Sequence, residues 1–425
     1  MIRETIDPAR TDGLPDHVGM TSAGRLVLTG GAHNVAHLFT GQRAAAPAAV
    51  AAFRANHLAR RAWCAAWGIR FSQWVFPDAI VLAGLADVDA KGPGGTAPGQ
   101  GLDLSQVRSV YLTQFRFDGD AADVHYPLAL LQDHPERQTL TDSHYGDLGN
   151  LHLAAEVVRV MQDRHDPAHL SAHVASRAAL AQPAEITGDL GLQCTPQRSE
   201  TRLRLPPPDR RLIASNGLAA GNNGIIYLLE NKVPPGTGTL LIFGDSFFRC
   251  LLDELIPFWD AIVFVRSTHF HYELVQAVRP AAILTGMAER YIAAQVPDEG
   301  RPHLLALPLI AGRAQSPDPG FAPMWTRLID QTALAQVPGA ALPATAPVTV
   351  LVTAGGTGAG MTATQILEQT AFALWRMREG DSCGLEGAAR SALWARARPG
   401  YLEEARVLLD IMGARGLQIS GLPRG

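Results

Sequence analysis

Three side chains in this sequence have the types that nucleophilic catalysis by a serine requires. Ser246 ends a Gly-Asp-Ser run, and His144 lies two residues after Asp142. A serine hydroxyl is a weak nucleophile at neutral pH. It therefore needs a general base, commonly histidine, and a carboxylate that orients this base and stabilises the imidazolium. Because an Asp-x-His spacing on a turn lets both side chains reach one pocket, we predict a triad of Ser246, His144 and Asp142.

The elements predicted around Ser246 would hold it where such chemistry is favoured. The apolar run 239–243 predicts a buried strand, and apolar residues at helical spacing in 247–255 predict a helix. A serine between them lies at the carboxyl edge of a sheet, where open α/β sheets bind ligands. It also lies at a helix amino end, which favours an oxyanion. The alternative is an ordinary capped turn, and Asp245 is predicted to be the capping residue.

Other polar residues near the predicted sheet edge leave alternatives open. His269 and His271 follow the predicted strand 261–265 and compete with His144 for the role of base. Together with Asp245 they could also surround a metal ion, because imidazole and carboxylate suit several metals. We rank this reading below the triad and predict neither a metal nor a cofactor.

A second oxyanion donor, beside the N–H of Ser246, is expected from the segment 266–270. The candidate oxyanion or substrate contacts are Arg266, Thr268, His269 and Tyr145. Glu289 and Arg290, at the end of a predicted strand, are expected to form a structural ion pair.

The alternation of strands and helices predicts the fold class. Strands at 239–243, 261–265 and 281–285 are separated by helical segments, which is typical of parallel βαβ units. Short β-like pieces rich in proline and glycine occupy 165–238. We therefore predict an α/β fold with a parallel sheet flanked by helices, with β insertions and a C-terminal α/β or helical extension.

A glycine-rich loop near the C-terminus offers a different function. It spans 353–360, between an apolar strand and a helix, and resembles a phosphate-binding turn through Gly356, Gly358 and Gly360. No second strand with an acidic end follows at the spacing that the dinucleotide-binding fingerprint requires. We favour a plain strand-to-helix turn and keep nucleotide binding as an alternative.

Composition excludes several classes of function. The net charge is −4 and charged residues make up 18% of the chain, so no basic patch predicts binding to nucleic acid. The four cysteines are far apart, which argues against a zinc site of thiolates and against a disulfide framework.

The N-terminus has no signal-peptide pattern. We therefore expect a cytoplasmic protein, or a periplasmic one if the N-terminus is incomplete.

Several segments together resemble the SGNH hydrolases, in the branch of the alginate O-acetyltransferases. Gly244-Asp-Ser-Phe247 resembles the nucleophile block, and Thr141-Asp-Ser-His-Tyr-Gly-Asp-Leu-Gly149 resembles the Thr-Asp-Thr-His-Trp-x-x-x-Gly block of that branch. Three further segments agree in the same order: Gly24–Gly31, Gly68–Asp78 and Arg279–Tyr291. The departures are Ser143 for Thr, Tyr145 for Trp, and the lack of the Gly-x-Asn-Asp oxyanion block.

The resemblance covers roughly residues 20–300 and implies acyl-ester chemistry on a carbohydrate. It implies an SGNH-like domain over 24–311, and the remaining parts are predicted as a tail (1–23), a linker-like segment (312–347) and an extension (348–425). The implied partners are a carbohydrate acceptor and an acetyl donor, with a membrane-bound protein that supplies the acyl group as a further option. A catalytically silent relative that binds carbohydrate or protein is the main alternative.

Overall fold

The computed structural model describes the greater part of the chain. The described residues are 13–84, 106–116, 124–132, 139–162, 166–209, 211–219, 223–298, 301–307 and 314–335, with short pieces at 395–396, 398–403 and 406. They group into two compact units. The first comprises residues 1–213, 227–270 and 280–297, and the second comprises 214–226, 271–279 and 298–425.

The described strands form one seven-stranded sheet and two small antiparallel pairs. The strands are β1 (Val18–Met20), β2 (Leu26–Leu28), β3 (Arg70–Phe76), β4 (Val124–His125), β5 (Gln182–Ile186), β6 (Glu200–Arg204), β7 (Arg211–Ser215), β8 (Ile226–Asn231), β9 (Thr239–Gly244), β10 (Ala261–Arg266) and β11 (Ala282–Ala288). The large sheet has the order β4-β3-β11-β9-β10-β8-β7, and its first five strands are parallel. The strands β1 and β2 pair with each other, as do β5 and β6.

Helices follow most of the strands, as parallel connections require. They are α1 (Val35–Phe39), α2 (Pro47–Ala66), α3 (Ala79–Gly84), α4 (Leu128–Gln132), α5 (Asp147–Met161), α6 (Pro167–Ala178), α7 (Ser246–Leu255), α8 (Tyr272–Val278), α9 (Glu289–Ile292), α10 (Phe321–Leu328) and α11 (Gln331–Ala335). Single turns of other helical types occur at Tyr111–Phe115, Gly191–Gln193, Ile256–Phe258 and Leu304–Ala306. Within the described residues, no helix is both long and apolar enough to cross a membrane.

Two glycines bring helix α7 close to the sheet. A Cβ at Gly244, in β9, would lie 2.6 Å from the Phe248 ring, and so would a Cβ at Gly286, in β11. Phe248 is fully buried there and meets Phe76 edge to face, with the ring centroids 4.9 Å apart. Because the two glycines leave room for this ring, the amino end of α7 lies directly over the carboxyl ends of β9 and β11.

The prediction of an α/β fold is confirmed. The predicted strands at 239–243, 261–265 and 281–285 correspond to β9, β10 and β11, and the predicted helix at 247–255 corresponds to α7. The segment predicted as a tail contains β1, and the segment predicted as linker-like contains α10 and α11. The glycines of the C-terminal glycine-rich loop, Gly356, Gly358 and Gly360, lie outside the described residues, so neither the predicted strand-to-helix turn nor the nucleotide-binding alternative is tested.

Candidate active site

Ser246 is the first residue of α7, and Asp245 alone separates it from the carboxyl end of β9. The prediction that Asp245 caps this helix is confirmed, because its carboxylate accepts a hydrogen bond from the N–H of Phe247 at 2.9 Å. The other oxygen of Asp245 accepts from the N–H of Ala288, at the end of β11, at 2.7 Å. One buried carboxylate thus joins the turn before Ser246 to the first turn of α7 and to the end of β11.

The structure brings Ser246, His144 and Asp142 together in one chain of hydrogen bonds. His144 Nε2 lies 2.7 Å from Ser246 Oγ, and His144 Nδ1 lies 2.8 Å from Asp142 Oδ1. Asp142 Oδ1 also accepts from the backbone N–H of His144 at 3.1 Å. This is the arrangement in which a carboxylate orients an imidazole and the imidazole accepts a proton from a serine.

The surroundings keep Asp142 ionised. Burial alone would raise the pKa of this carboxyl, but the hydrogen bonds from the ring and backbone of His144, with the charge of the ring, outweigh burial and lower the pKa below its ordinary value. Arg202 Nη2, on β6, lies 3.3 Å from Asp142 Oδ2. The carboxylate is therefore a charged partner for His144 at neutral pH.

The segment that carries His144 is held by β6 and by a turn that follows β5. Glu200 accepts hydrogen bonds from the N–H groups of Leu140 and Thr141 at 2.8 and 2.9 Å. Asp189 accepts from the N–H and the hydroxyl of Ser143 at 2.7 and 2.6 Å. Both residues that flank the triad carboxylate in sequence are thus fixed by acidic side chains from the β5–β6 region.

Two cavities adjoin the triad. The first has a volume of about 400 Å³ and is lined by Asp142, Arg202 and Tyr227, among others. The second has a volume of about 390 Å³ and is lined by Ser246, the Gly30-Gly31 turn after β2, and Tyr291. His144, Asp189 and Arg249 line both cavities.

Arginines give the second cavity a positive wall. Arg249, Arg266 and Arg290 all line it. Burial lowers the pKa of Arg266. Burial alone would also lower the pKa of Arg290, but its ion pair with Asp78 outweighs burial and raises the pKa. Negative charge that develops on an oxygen atom bound next to Ser246 would therefore lie near guanidinium groups.

The predicted oxyanion residues are only partly gathered at Ser246. Of the four, Arg266 lines the cavity that Ser246 lines. Tyr145 is buried with its hydroxyl donating to the carbonyl of Pro77 at 2.6 Å, and it lines the first cavity. The carbonyl of Thr268 accepts from Arg60 at 3.3 Å, and the N–H of His269 donates to the hydroxyl of Ser267 at 3.1 Å. The role of each of these residues stays a prediction.

The expected ion pair between Glu289 and Arg290 is wrong. The guanidinium of Arg290 bonds Asp78 instead. Glu289 accepts from the hydroxyl of Ser109 at 2.6 Å and from the hydroxyl of Tyr126 at 2.8 Å. Adjacent residues at the start of a helix project in different directions, so each of the two reaches its own partner.

The competing histidines have other neighbours. The ring of His271 is buried in the second unit, with Nδ1 3.2 Å from Glu273 Oε1, and it is His144 that contacts Ser246. In the described part of the chain, one group of potential metal ligands comes together, and it consists of Asp142, His144 and Asp189, with their ligand atoms within 4.8 Å of one another. It does not include His269, His271 or Asp245, which were the ligands of the alternative metal site. The ring nitrogens of His144 already bond Asp142 and Ser246.

Four residues of the site were not predicted from the sequence: Asp189, Arg202, Arg249 and Asp78. Arg249 lies one helical turn after Ser246, on the exposed side of α7, and its spacing could have indicated that it borders the nucleophile. Asp78 ends the Gly68–Asp78 segment of the sequence resemblance, but no pattern indicates that it pairs with Arg290. Asp189 and Arg202 come from other segments, and no local pattern in the sequence identifies them.

Comparisons with known proteins find similar solved structures but no similar family model or curated sequence. No family model matches the chain, and neither does any curated protein. Among solved structures, PatB1 of Bacillus cereus is 12% identical, the match covers 68% of this chain and 97% of that chain, and the TM-score is 0.41. The O-acetyltransferase domain of Pseudomonas putida AlgJ is 14% identical, with coverages of 72% and 99% and a TM-score of 0.34.

A further neighbour is a DHHW family protein from Eubacterium siraeum. It is 12% identical, the match covers 54% of this chain and 83% of that chain, and the TM-score is 0.35.

Proposed function

We propose that the chain is a serine-dependent O-acetyltransferase or acetylesterase that forms an acyl-enzyme on Ser246. The observation that supports this most directly is the chain of hydrogen bonds from Asp142 through His144 to Ser246, with distances of 2.8 and 2.7 Å. The triad stands beside a cavity of about 390 Å³ that could receive an ester. A carbohydrate substrate is proposed from the sequence resemblance.

The reaction would run in two steps. Ser246 Oγ attacks the acetyl carbonyl of the donor while His144 Nε2 takes its proton, and the bond to the leaving alcohol or thiol then breaks as His144 returns the proton to the leaving group. In the second step a sugar hydroxyl or water gives its proton to His144 and attacks the acetyl-serine. The acetyl group leaves on that oxygen, and Ser246 recovers its proton from His144.

The negative charge of each tetrahedral intermediate would be stabilised at the amino end of α7. The backbone N–H of Ser246 would donate one hydrogen bond to the oxyanion, and the arginine side chains that line the same cavity would provide positive charge. Loss of one such donor typically costs about 2.7–4 kcal/mol of transition-state stabilisation.

Hydrolysis of an activated acetyl ester tests the proposal. We expect the wild-type chain to hydrolyse p-nitrophenyl acetate, and we expect Ser246→Ala to show only the background rate. His144→Ala should lower kcat/KM by about 10²–10⁴-fold. Ser176→Ala is the matched control, because this serine is exposed on α6 and bonds the carbonyl of His173. Equal rates for the wild type and Ser246→Ala would contradict the proposal. If both rates equal the background, a catalytically silent binding protein is favoured.

Acceptor selection requires a second assay. Neutral and uronic-acid oligosaccharides are offered with the same acetyl ester, and the products are examined by mass spectrometry. Transfer predicts acetylated oligosaccharide that depends on Ser246, whereas an esterase predicts free acetate alone.

A further inference from the structure

A second carboxylate, that of Asp189, lies beside the imidazole of the triad. Its Oδ2 is 3.7 Å from His144 Nδ1, the atom that Asp142 Oδ1 contacts at 2.8 Å. The same carboxylate accepts from the N–H and the hydroxyl of Ser143 at 2.7 and 2.6 Å. Asp189 therefore contacts the residue between the two triad members and faces the ring of one of them.

The turn that carries Asp189 is shaped to fit the segment of His144. Leu190 and Gly191 both donate their N–H groups to the carbonyl of Thr141, at 3.1 and 2.8 Å, and the N–H of Gly188 donates to the Thr141 hydroxyl at 3.0 Å. A Cβ at Gly188 would collide with the Thr141 carbonyl oxygen and would lie 2.6 Å from the Cα of Asp142. The approach is too close for any other residue type at Gly188, so Asp189 is held at a defined distance from the ring.

We propose that Asp189 is a positioning residue that acts through His144, as a second carboxylate that stabilises the imidazolium formed during acyl transfer and fixes the turn at Ser143. The proposal rests on the proposed function of Ser246. When His144 takes the serine proton, the ring becomes positive while two carboxylates face its Nδ1–H side. An anion within about 4–6 Å favours the protonated ring, so Asp189 would lower the energy of the charged intermediate.

Other charged groups surround this base. Beside the two carboxylates, the first cavity is lined by the charged residues Asp147, Arg202, Arg204, Arg211, Arg249, Asp253 and Glu254. The second cavity is lined by His33, Arg249, Arg266 and Arg290, and the charge of Asp245 also interacts with His144. Arg202 contacts Asp142 Oδ2 at 3.3 Å, on the side of this carboxylate away from the atom that bonds the ring. Asp189 is the second carboxylate near Nδ1 of His144. Burial raises the pKa of Asp189, and the charge of Asp142 raises it further, against the opposing effect of His144. The second carboxylate is thus easier to protonate than an ordinary aspartate.

The substitution Asp189→Asn separates charge from shape. The amide oxygen can still accept from the N–H of Ser143, and the amide N–H₂ can donate to its hydroxyl, so the turn is retained while the charge is removed. We expect kcat/KM for p-nitrophenyl acetate to fall roughly tenfold at its plateau, because the imidazolium loses one stabilising anion. We also expect the acidic limb of the pH profile to move to lower pH by roughly half a unit to one unit, because removal of an anion favours the neutral ring.

A purely structural role would give a different result. Loss of activity without movement of the acidic limb, or a profile identical to that of the wild type, would overturn the proposal. Asp209→Asn is the matched control, since Asp209 is exposed and lines neither cavity. If Asp189→Asn proves unstable, Asp189→Glu and Asp189→Gln are compared instead. The charged variant is expected to be the more active, and equal activities would overturn the proposal.

A double-mutant cycle with Asp142→Asn measures the coupling of the two carboxylates. If both act on one ring, the double variant differs from the sum of the single effects, whereas strict additivity would contradict a shared action. The same assays distinguish this proposal from the proposed function. If Ser246→Ala keeps the wild-type activity, both the proposed function and the role of Asp189 are contradicted. If activity requires Ser246 but does not change when the charge of Asp189 is removed, only the role of Asp189 is contradicted.

Discussion

The hydroxyl of Ser246 lies 2.7 Å from Nε2 of His144, although 102 positions separate the two residues in sequence. The contact requires the β9–α7 turn and the segment before α5 to meet at one edge of the sheet. It therefore depends on tertiary structure, and substitutions that shift either segment should affect activity even when they leave the triad residues intact.

Asp142→Asn is expected to lower kcat for ester hydrolysis by about 10²–10⁴-fold with little change in fold. The amide carries no negative charge, and its N–H₂ group can donate to Nδ1 and so place the ring proton on Nε2. The imidazole therefore loses both its fixed tautomer and its stabilising anion. Steady-state kinetics with p-nitrophenyl acetate measure the effect, and circular dichroism checks the fold. A loss smaller than threefold would show that Asp142 does not orient the base.

Gly188→Ala is expected to impair both stability and catalysis. The new methyl group would collide with the backbone of Thr141 and Asp142, which has no flexible end that could move away. Overpacking of this kind costs about 1–3 kcal/mol of unfolding free energy, and it would displace the base. Gly320→Ala is the matched control, because its Cβ would lie 3.7 Å from the nearest side chain. Urea denaturation and kinetics that show equal, small effects for both variants would refute the close approach.

Asp78→Ala is expected to cost about 3–5 kcal/mol of unfolding free energy. The substitution leaves the Arg290 guanidinium, which is 6% exposed, without its carboxylate. Glu156→Ala breaks the exposed ion pair with Arg159 on α5 and should cost less than about 1 kcal/mol. Urea denaturation compares the two variants, and similar values for both would contradict the role assigned to the buried pair.

Glu289→Gln is expected to flatten the pH dependence of stability. Burial raises the pKa of Glu289 from 4.5 to about 7, against the hydrogen bonds from Ser109, Tyr111 and Tyr126. As pH rises from about 4.5 to about 7, the unfolded chain releases this proton before the folded chain does. The free energy of unfolding therefore falls, by about 3 kcal/mol over that window.

The glutamine side chain introduced at this position does not titrate in this pH range. The unfolding free energy of Glu289→Gln should therefore change less between pH 5 and pH 8 than that of the wild type. Glu185→Gln, on the exposed face of β5, is the control and should keep the wild-type slope. Chemical denaturation at several pH values gives the slopes. Identical slopes for the wild type and Glu289→Gln would contradict the raised pKa.

Local patterns in the sequence predicted the elements that carry Ser246. The apolar run of β9 and the helical spacing of α7 are local properties, and so is the capping role of Asp245. By contrast, Asp189 reaches Ser143 across 46 positions, and the contact depends on how the β5–β6 region folds against the segment before α5.

The wrong prediction for Glu289 and Arg290 has a related cause. Opposite charges on adjacent residues suggested an ion pair, but neighbouring positions at a helix start face different partners. The partners, Ser109 for Glu289 and Asp78 for Arg290, lie 180 and 212 positions away. Pairings over such distances are set by tertiary packing, and composition or spacing cannot reveal them.

Acylation of Ser246 can be detected by intact-protein and peptide mass spectrometry after brief exposure to an acetyl ester at mildly acidic pH. We expect a mass increase of one acetyl group on the peptide that contains Ser246. The adduct should be lost on further incubation and absent in Ser246→Ala. An acetyl group on other residues alone, or an equal adduct in Ser246→Ala, would contradict acylation of Ser246.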